Sequence, residues 1–345
     1  MGYEPRNTYP GPHFLTITVP HTLRLPWRAP CENTVTDTKI PMRGAGQVQT
    51  GKQDPLIFSK MAGGGNDFVV IDHRTVKIAD ASELTRRICT RRLSVGADGL
   101  ILIENSVRAT FRMRYYNADG GLAAFCANGT RCAARFAFLN VIAGRRMTIE
   151  TDAGLIGAEI GEGGAVTLSL PPPRSFRPQR PLAIGGQTIR GSSLLVGVPH
   201  YVVYLRDGLW SQDIDPLGRA IRTHPELHAD GGANANFVVV RDPHHIEVRT
   251  WERGVEGETL SCGSGVVASA VTTALFGRAR SPVSVLTRGG ITLEVSFEPG
   301  DGAVENVQLK GDARHIYRAT ITPETLEGFD PEWVRDPAAS VTVSQ

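Results

Sequence analysis

The sequence predicts a strand-rich α/β protein of two similar domains related by pseudo-symmetry, each a curled β-sheet around a central buried helix. Three observations carry this. Two Gly-rich turns that lead into helices, Phe125-Cys126-Ala127-Asn128-Gly129-Thr130 and Ser261-Cys262-Gly263-Ser264-Gly265-Val266, lie in separate halves of the chain, each with a cysteine at its start. The runs ahead of them also match, Met113-Arg114-Tyr115-Tyr116-Asn117 with Val248-Arg249-Thr250-Trp251-Glu252, ending nine and ten residues before their cysteines. A second similarity, in the same order, joins Gly65-Asn66-Asp67-Phe68-Val69-Val70 to Ala233-Asn234-Ala235-Asn236-Phe237-Val238-Val239, as a duplicated unit requires. Third, the segments after the cysteines, through Phe136-Ala137-Phe138-Leu139 and through Val266 to Phe276, are apolar or small on nearly every face. Such helices must be covered all round, which a curled sheet does.

Composition bounds the function. A chain of 345 residues, 41% hydrophobic and 21% charged, suits two domains that each bury a core. A net charge of +2 with scattered Lys and Arg argues against nucleic acid as partner. No apolar run approaches the length of a membrane span, so no membrane association is expected. Five cysteines without framework spacing point to a reducing, cytoplasmic setting with free thiols.

In chain order, residues 1–55 read as a flexible extension. Seven prolines from Pro5 to Pro41 break any periodicity, and the Gly44 to Gln53 stretch is polar. The signal-peptide order of charged start, apolar core and cleavage site is missing, and Glu4, Glu32 and Asp37 count against a transit peptide. From Leu56 structure signals become dense. Phe68 to Ile71 reads as a strand, and Asp80-Ala81-Ser82-Glu83 as a capping box before Leu84, Ile88 and Leu93 at helical spacing. Further strands are expected at 112–116, 147–151, 166–170, 194–196, 201–205, 237–240, 246–251, 283–286 and 291–297. The two cysteine-led helices are expected to stop at Gly144 and Gly277. Pro171-Pro172-Pro173 is the natural junction. The expected domains are therefore 56–170 and 171–306, with a C-terminal tail at 323–345.

The chemistry follows from the helix starts. Gly129, Gly263 and Gly265 let first-turn N–H groups converge on an anion, and the helix dipole adds favourable partial charge. The same field lowers a thiol pKa toward neutrality, where a proton-transfer group works best. Two opposed thiols beside one anion grip can remove a proton from one face of a carbon and return one to the other. Competing readings are weaker. Cys126 and Cys132 lack C-x-x-C spacing and an adjacent His, so no metal is expected, and Cys132 and Cys89 read as core. Gly63-Gly64-Gly65 is not followed by the Gly-Lys-Ser/Thr of a phosphate loop. Asn128-Gly129-Thr130 is a sequon only by coincidence, His244-His245 reads as a solvated turn, and a reversible Cys126–Cys262 disulfide sensor is the non-enzymatic alternative.

Several blocks together resemble the diaminopimelate epimerases over roughly Phe58 to Ile321: Gly65 to Asp72, Gly96-Ala97-Asp98-Gly99-Leu100, Asn117-Ala118-Asp119-Gly120, Cys126 to Cys132, Asn234-Ala235-Asn236-Phe237, and Glu252-Arg253-Gly254 leading to Cys262-Gly263-Ser264-Gly265. The resemblance implies cofactor-independent epimerisation of LL- to meso-diaminopimelate, without pyridoxal phosphate, in lysine and peptidoglycan synthesis. It implies Cys126 and Cys262 as the catalytic pair, one thiolate and one thiol. Asn66, Asn117, Ala127, Asn128, Asn234, Glu252, Arg253, Gly263 and Ser264 would surround the substrate, with His200 in support. It further implies a strand near 307–322 that returns to the first domain, and a homodimer. Three departures stand out: Val198 where the family usually has Asn before Pro-His, Ala127 where Gly is usual, and Met61-Ala62-Gly63-Gly64 in place of Met-His-Gly-Leu. An isopropyl group in place of an amide forfeits contacts worth about 1–3 kcal/mol if nothing replaces them. The alternative is therefore a racemase or epimerase of another amino acid by the same two-cysteine chemistry.

Overall fold

A computed structural model describes residues 55–228, 231–300 and 304–327. All but the last residue of the expected extension at 1–55, Cys31 included, and most of the expected tail at 323–345 lie outside the described residues. The first half runs β1 (Ile57–Gly63), β2 (Asn66–Asp72), α1 (Ala81–Ile88), β3 (Gly99–Glu104), β4 (Phe111–Asn117), a two-residue β5 (Leu122–Ala123), α2 (Ala127–Leu139), β6 (Arg146–Thr151), β7 (Gly154–Ile160) and β8 (Val166–Ser169). The second half follows as β9 (Arg174–Ile184), β10 (Gln187–Val196), β11 (Val198–Tyr204), α3 (Asp215–Arg222), α4 (Pro225–His228), β12 (Asn234–Asp242), β13 (His245–Glu252), β14 (Gly257–Thr259), α5 (Gly263–Leu275), β15 (Val283–Thr287), β16 (Thr292–Pro299) and β17 (Val304–Gly311). The chain then returns as β18 (Arg314–Thr320), which pairs antiparallel with β1.

Strand pairing repeats between the halves. The order β1-β2-β3-β4-β6-β7-β8, with β2–β3 and β4–β6 parallel, is matched by β10-β11-β12-β13-β15-β16-β17, with β11–β12 and β13–β15 parallel. β18 beside β1 corresponds to β9 beside β10. The last strands of the two series, β8 and β17, pair antiparallel with each other, so all strands form one sheet.

Register then assigns counterparts. Phe68 faces Gly99, which faces Asn117, while His200 faces Asn234, and the next pair along is Ala235 with Trp251. The β4–β13 similarity read from sequence thus joins true counterparts. The other does not: β2 corresponds to β11, and β12 to β3. An Asn ahead of a β-branched run opens many strands, and the similarity between β2 and β12 is of that local kind.

Each half of the sheet curls around one helix. α2 packs on β1, β2, β3, β4, β7, β8 and β18, and α5 on β10, β11, β12, β13, β15, β16 and β17. Ala133, Ala134 and Ala137 of α2, and Ala268 and Ala270 of α5, are wholly buried, and their small side chains let the strands approach on every side. One apolar core joins the halves, from Met61, Phe68 and Ile101 to Val248, Val267 and Leu309.

Local expectations needed some adjustment. Asp80 caps α1 through the Glu83 N–H at 2.9 Å, but α1 stops at Ile88, and Leu93 lies beyond it in a turn. α2 and α5 stop at Leu139 and Leu275, before the glycines expected to end them. Val141, at φ 57°, and Gly277, at φ 68°, take the left-handed turn after each helix.

Candidate active site

Cys126 is the N-cap of α2 and Cys262 the N-cap of α5, both extended in backbone. The two helix starts meet. A Cβ placed on Gly263, the first residue of α5, would lie 2.7 Å from the methyl group of Ala127, the first residue of α2. The Asn128 amide also crosses between halves, donating to the Ser261 carbonyl at 3.2 Å. Gly65, in the β1–β2 turn, packs in the same way on Leu260 ahead of Cys262. The two cysteines therefore stand at the mouths of two caged helices that abut at their N-terminal ends.

A lattice of amides and charges holds the first half of the site. Asn128 donates to Asn66 Oδ1 at 2.8 Å and to the Gly64 carbonyl at 3.3 Å, and its Oδ1 accepts from Arg131 Nη2 at 2.7 Å. Asn66 in turn donates to Asp98 Oδ2 at 2.9 Å, which leaves its second amide hydrogen for a ligand. Asp98 and Asp67 share Arg91, and Lys60 pairs with Asp67 at 2.7 Å. Burial would raise the Asp67 pKa, but hydrogen bonds from Arg91 and Lys60 outweigh it and hold the carboxyl below its ordinary range. Arg131 is 0% exposed. Its guanidinium reaches the Asp312 and Ala127 carbonyls at 3.2 and 3.5 Å, and no carboxylate lies within ion-pair distance among the described residues.

The second half is held differently. Cys262 Sγ lies 3.5 Å from Ser264 Oγ and 3.9 Å from Asn234 Nδ2, and the Glu252 carboxylate is near enough to act on the thiol electrostatically. Thr259 donates to Glu252 Oε2 at 3.0 Å, and the Arg253 N–H donates to Asn234 Oδ1 at 2.8 Å. Burial raises the Glu252 pKa above the ordinary carboxylate range, against the hydrogen bond from Thr259. His200 is 1% exposed on β11. Its Nδ1 meets Asn236 at 3.1 Å, while Nε2 has no hydrogen-bond partner among the described residues. A buried donor or acceptor left in this way costs about 1–3 kcal/mol, a cost that a bound ligand can remove.

The helix field does not bring the thiols to neutrality. Burial pushes Cys126 up to about 11, against the Gly129 N–H that reaches its sulfur at 3.4 Å and the nearby Arg131 charge. Burial and then the Glu252 charge push Cys262 well above the ordinary thiol value. Desolvation wins because the protein offers a thiolate fewer hydrogen-bond donors than the water that burial removes.

Of the residues singled out from sequence, Cys126, Ala127, Asn128, Asn66, Cys262, Gly263, Ser264, Asn234, Glu252 and Arg253 converge on the two helix starts. His200 joins them through Asn234, its register partner. Asn117 is exposed at the end of β4, at the position that answers to Glu252 in the second half. Cys132 and Cys89 are core, at 0% and 3% exposure, as expected. Sequence reasoning missed Asp98, Arg131, Asn236, Thr250, Thr259 and Asp312. The first four sit inside blocks read for other reasons. Thr259 and Asp312, which braces the Gly64 N–H at 2.9 Å, carry no local signal.

Similarity to known proteins runs the same way. A family model described as diaminopimelate epimerase matches residues 58–173 and 192–315. The diaminopimelate epimerase of Aquifex aeolicus is 40% identical over 282 residues, covering 78% of this chain and 99% of its own. That of Chlorobaculum tepidum is 40% identical over 265 residues, covering 76% of this chain and 100% of its own. Two solved structures share the fold at low identity. A hydroxyproline epimerase from Agrobacterium vitis has a TM-score of 0.60 at 17% identity, over 80% of this chain and 92% of its own. A PhzF-family phenazine biosynthesis protein from Bacillus anthracis has a TM-score of 0.59 at 15% identity, over 78% of this chain and 100% of its own.

Proposed function

The chain belongs to the diaminopimelate epimerase family and is an isomerase, and from that premise we propose that it interconverts LL- and meso-diaminopimelate by two-thiol proton transfer. The observation that carries this is the contact between Ala127 and Gly263, which sets two cysteine-capped helices end to end. A substrate α-carboxylate on the first-turn N–H groups would sit between the sulfurs. The thiolate takes the α-proton, and the electron pair passes into the carboxylate as an enolate that those N–H groups stabilise. The opposite thiol then delivers its proton to the other face. The product has the inverted centre, and the two sulfurs have exchanged protonation states. No proton is gained or lost overall.

The surroundings favour Cys126 as the thiolate in the ground state. The Gly129 N–H reaches the Cys126 sulfur at 3.4 Å, whereas burial and then the Glu252 charge push Cys262 well above the ordinary thiol value. On this reading Asn66, Asn117, Asn234 and Arg253 bind the substrate's amino and carboxyl groups. The two halves, 56–170 and 171–306, act as domains on either side of it. A cytoplasmic setting keeps the thiols reduced, and a homodimer belongs to the same picture. No helix of the described residues is long and apolar enough to cross a membrane.

The test is α-proton exchange in heavy water, followed by NMR, with LL-diaminopimelate and a panel of L-amino acids and without pyridoxal phosphate. Exchange confined to diaminopimelate is expected. Cys126→Ala and Cys262→Ala should each abolish epimerisation while leaving the fold intact. Exchange with none of the substrates, or full activity in either variant, removes the proposal.

A further inference from the structure

His200 is the third residue of β11 and pairs in register with Asn234 of β12. Side chains of paired residues share a sheet face, so the ring lies beside the amide that reaches Cys262. Its Nδ1 is 3.1 Å from Asn236 Nδ2, and the other partners of Asn236 decide which atom donates. Asn236 Nδ2 also faces the carbonyl oxygens of Tyr201 at 3.4 Å and Asn234 at 3.3 Å, which can only accept. Asn236 Oδ1 accepts the Thr250 hydroxyl at 3.0 Å. Turning the amide over would set an oxygen against two carbonyls. The amide nitrogen therefore donates to His200 Nδ1, and in the neutral ring the hydrogen must sit on Nε2. That Nε2–H is buried and has no acceptor among the described residues.

We propose that Asn236 is a positioning residue which, locked by Thr250 and two backbone carbonyls, holds His200 as the Nε2–H tautomer, so that His200 is a fixed hydrogen-bond donor to an anionic oxygen of the bound amino acid and not a proton-accepting base. The acceptor's identity rests on the epimerase reading; the tautomer is a property of the free protein. Burial, and after it the Arg253 charge, keep the ring neutral, with its pKa lowered to about 3. The device is present on one side only. The counterpart of His200 in the first half is Phe68, and that of Asn234 is Gly99. A substrate between the helices is thus offered a ring N–H donor from the second half alone, which distinguishes the two ends of the site.

The experiment is long-range proton–nitrogen correlation NMR on the full chain labelled with 15N-histidine, His200 being assigned by its loss in His200→Phe. Expected is a bare Nδ1 and a protonated Nε2 from about pH 5 to 9, with the Nε2 proton moving downfield when diaminopimelate is added. In Asn236→Asp a carboxylate faces Nδ1 and should draw the proton there, with kcat reduced. Thr250→Ser keeps the lock and should keep the wild-type tautomer and kcat, whereas Thr250→Val loosens it. His200→Phe should lower kcat by about 10²–10³ with a smaller change in KM, as loss of one transition-state donor does. A wild-type ring protonated on Nδ1, or one that titrates within that pH range, overturns the proposal even if every variant misfolds. So does an Asn236→Asp protein with altered kcat but an unchanged tautomer. The expected tautomer in a protein that exchanges no diaminopimelate proton upholds the role of Asn236 and removes the substrate instead.

Discussion

Cys126 and Cys262 differ in what the fold sets beside them. Counterpart positions carry Asn117 and Glu252, Asn66 and Val198, and Arg131 and Val267, so a symmetric backbone presents asymmetric chemistry. Val198 leaves the second half without the amide that Asn66 gives the first. On the proposed function, polar contact there comes from Asn234, Arg253 and His200. His200 also has a measurable effect on stability. Its folded-state pKa, about 3, lies below the ordinary 6.5, so between those values the unfolded chain binds a proton that the folded protein refuses. Stability is complete above pH 6.5 and falls as the solution is acidified, by about 1.4 kcal/mol for each pH unit within that window. His200→Phe should flatten the dependence between about pH 6.5 and 4, as read by urea midpoints at a series of pH values. An equal slope in both proteins would show that the ring is not buried neutral.

At the scale of elements, the decisive contact is between the first turns of α2 and α5. Ala127 already occupies the space between them, and only a glycine fits opposite, since a Gly263 methyl would meet it at 2.7 Å. Gly263→Ala should therefore push the helix starts apart, costing about 1–3 kcal/mol of stability as overpacking does. Activity should drop with it as the sulfurs move out of register with the substrate carbon. Moving the methyl instead of adding one, in Ala127→Gly with Gly263→Ala, should recover most of both losses. Thermal melts and turnover on the four proteins of the cycle measure the coupling. Additive effects would mean that the helix starts do not touch in solution. Both cysteine-capped helices were legible in the sequence, because a cap, its glycines and an all-apolar helix lie within a few residues of one another. α3 and α4 were not anticipated; they are short and lie outside the duplicated motifs.

For the described body as a whole, continuity is the main property. The sheet passes from one half to the other through β8 and β17, and one apolar core contains residues of both halves. β18 comes from the far end of the described chain to close the edge at β1. Neither half can lose its packing without exposing the other's seam, so unfolding should be a single cooperative transition. Far-ultraviolet dichroism and the fluorescence of Trp251, buried in the second half, should report the same midpoint in urea. A lower midpoint for one probe would show that the halves unfold separately.

The sequence by itself determined the strand-rich class, the duplication, the two caged helices and the cysteines at their mouths, because caps, glycine turns and hydrophobic periodicity act over a few residues. Only the tertiary structure decided that β2 answers to β11 and not to β12, that Ala127 abuts Gly263, and that Thr259 and Asp312 brace the site. The last of these ties Asp312 to Gly64 across 248 residues. Contacts of that span follow from strand register and from which apolar faces can be buried together, and a local stretch of sequence does not encode its partner.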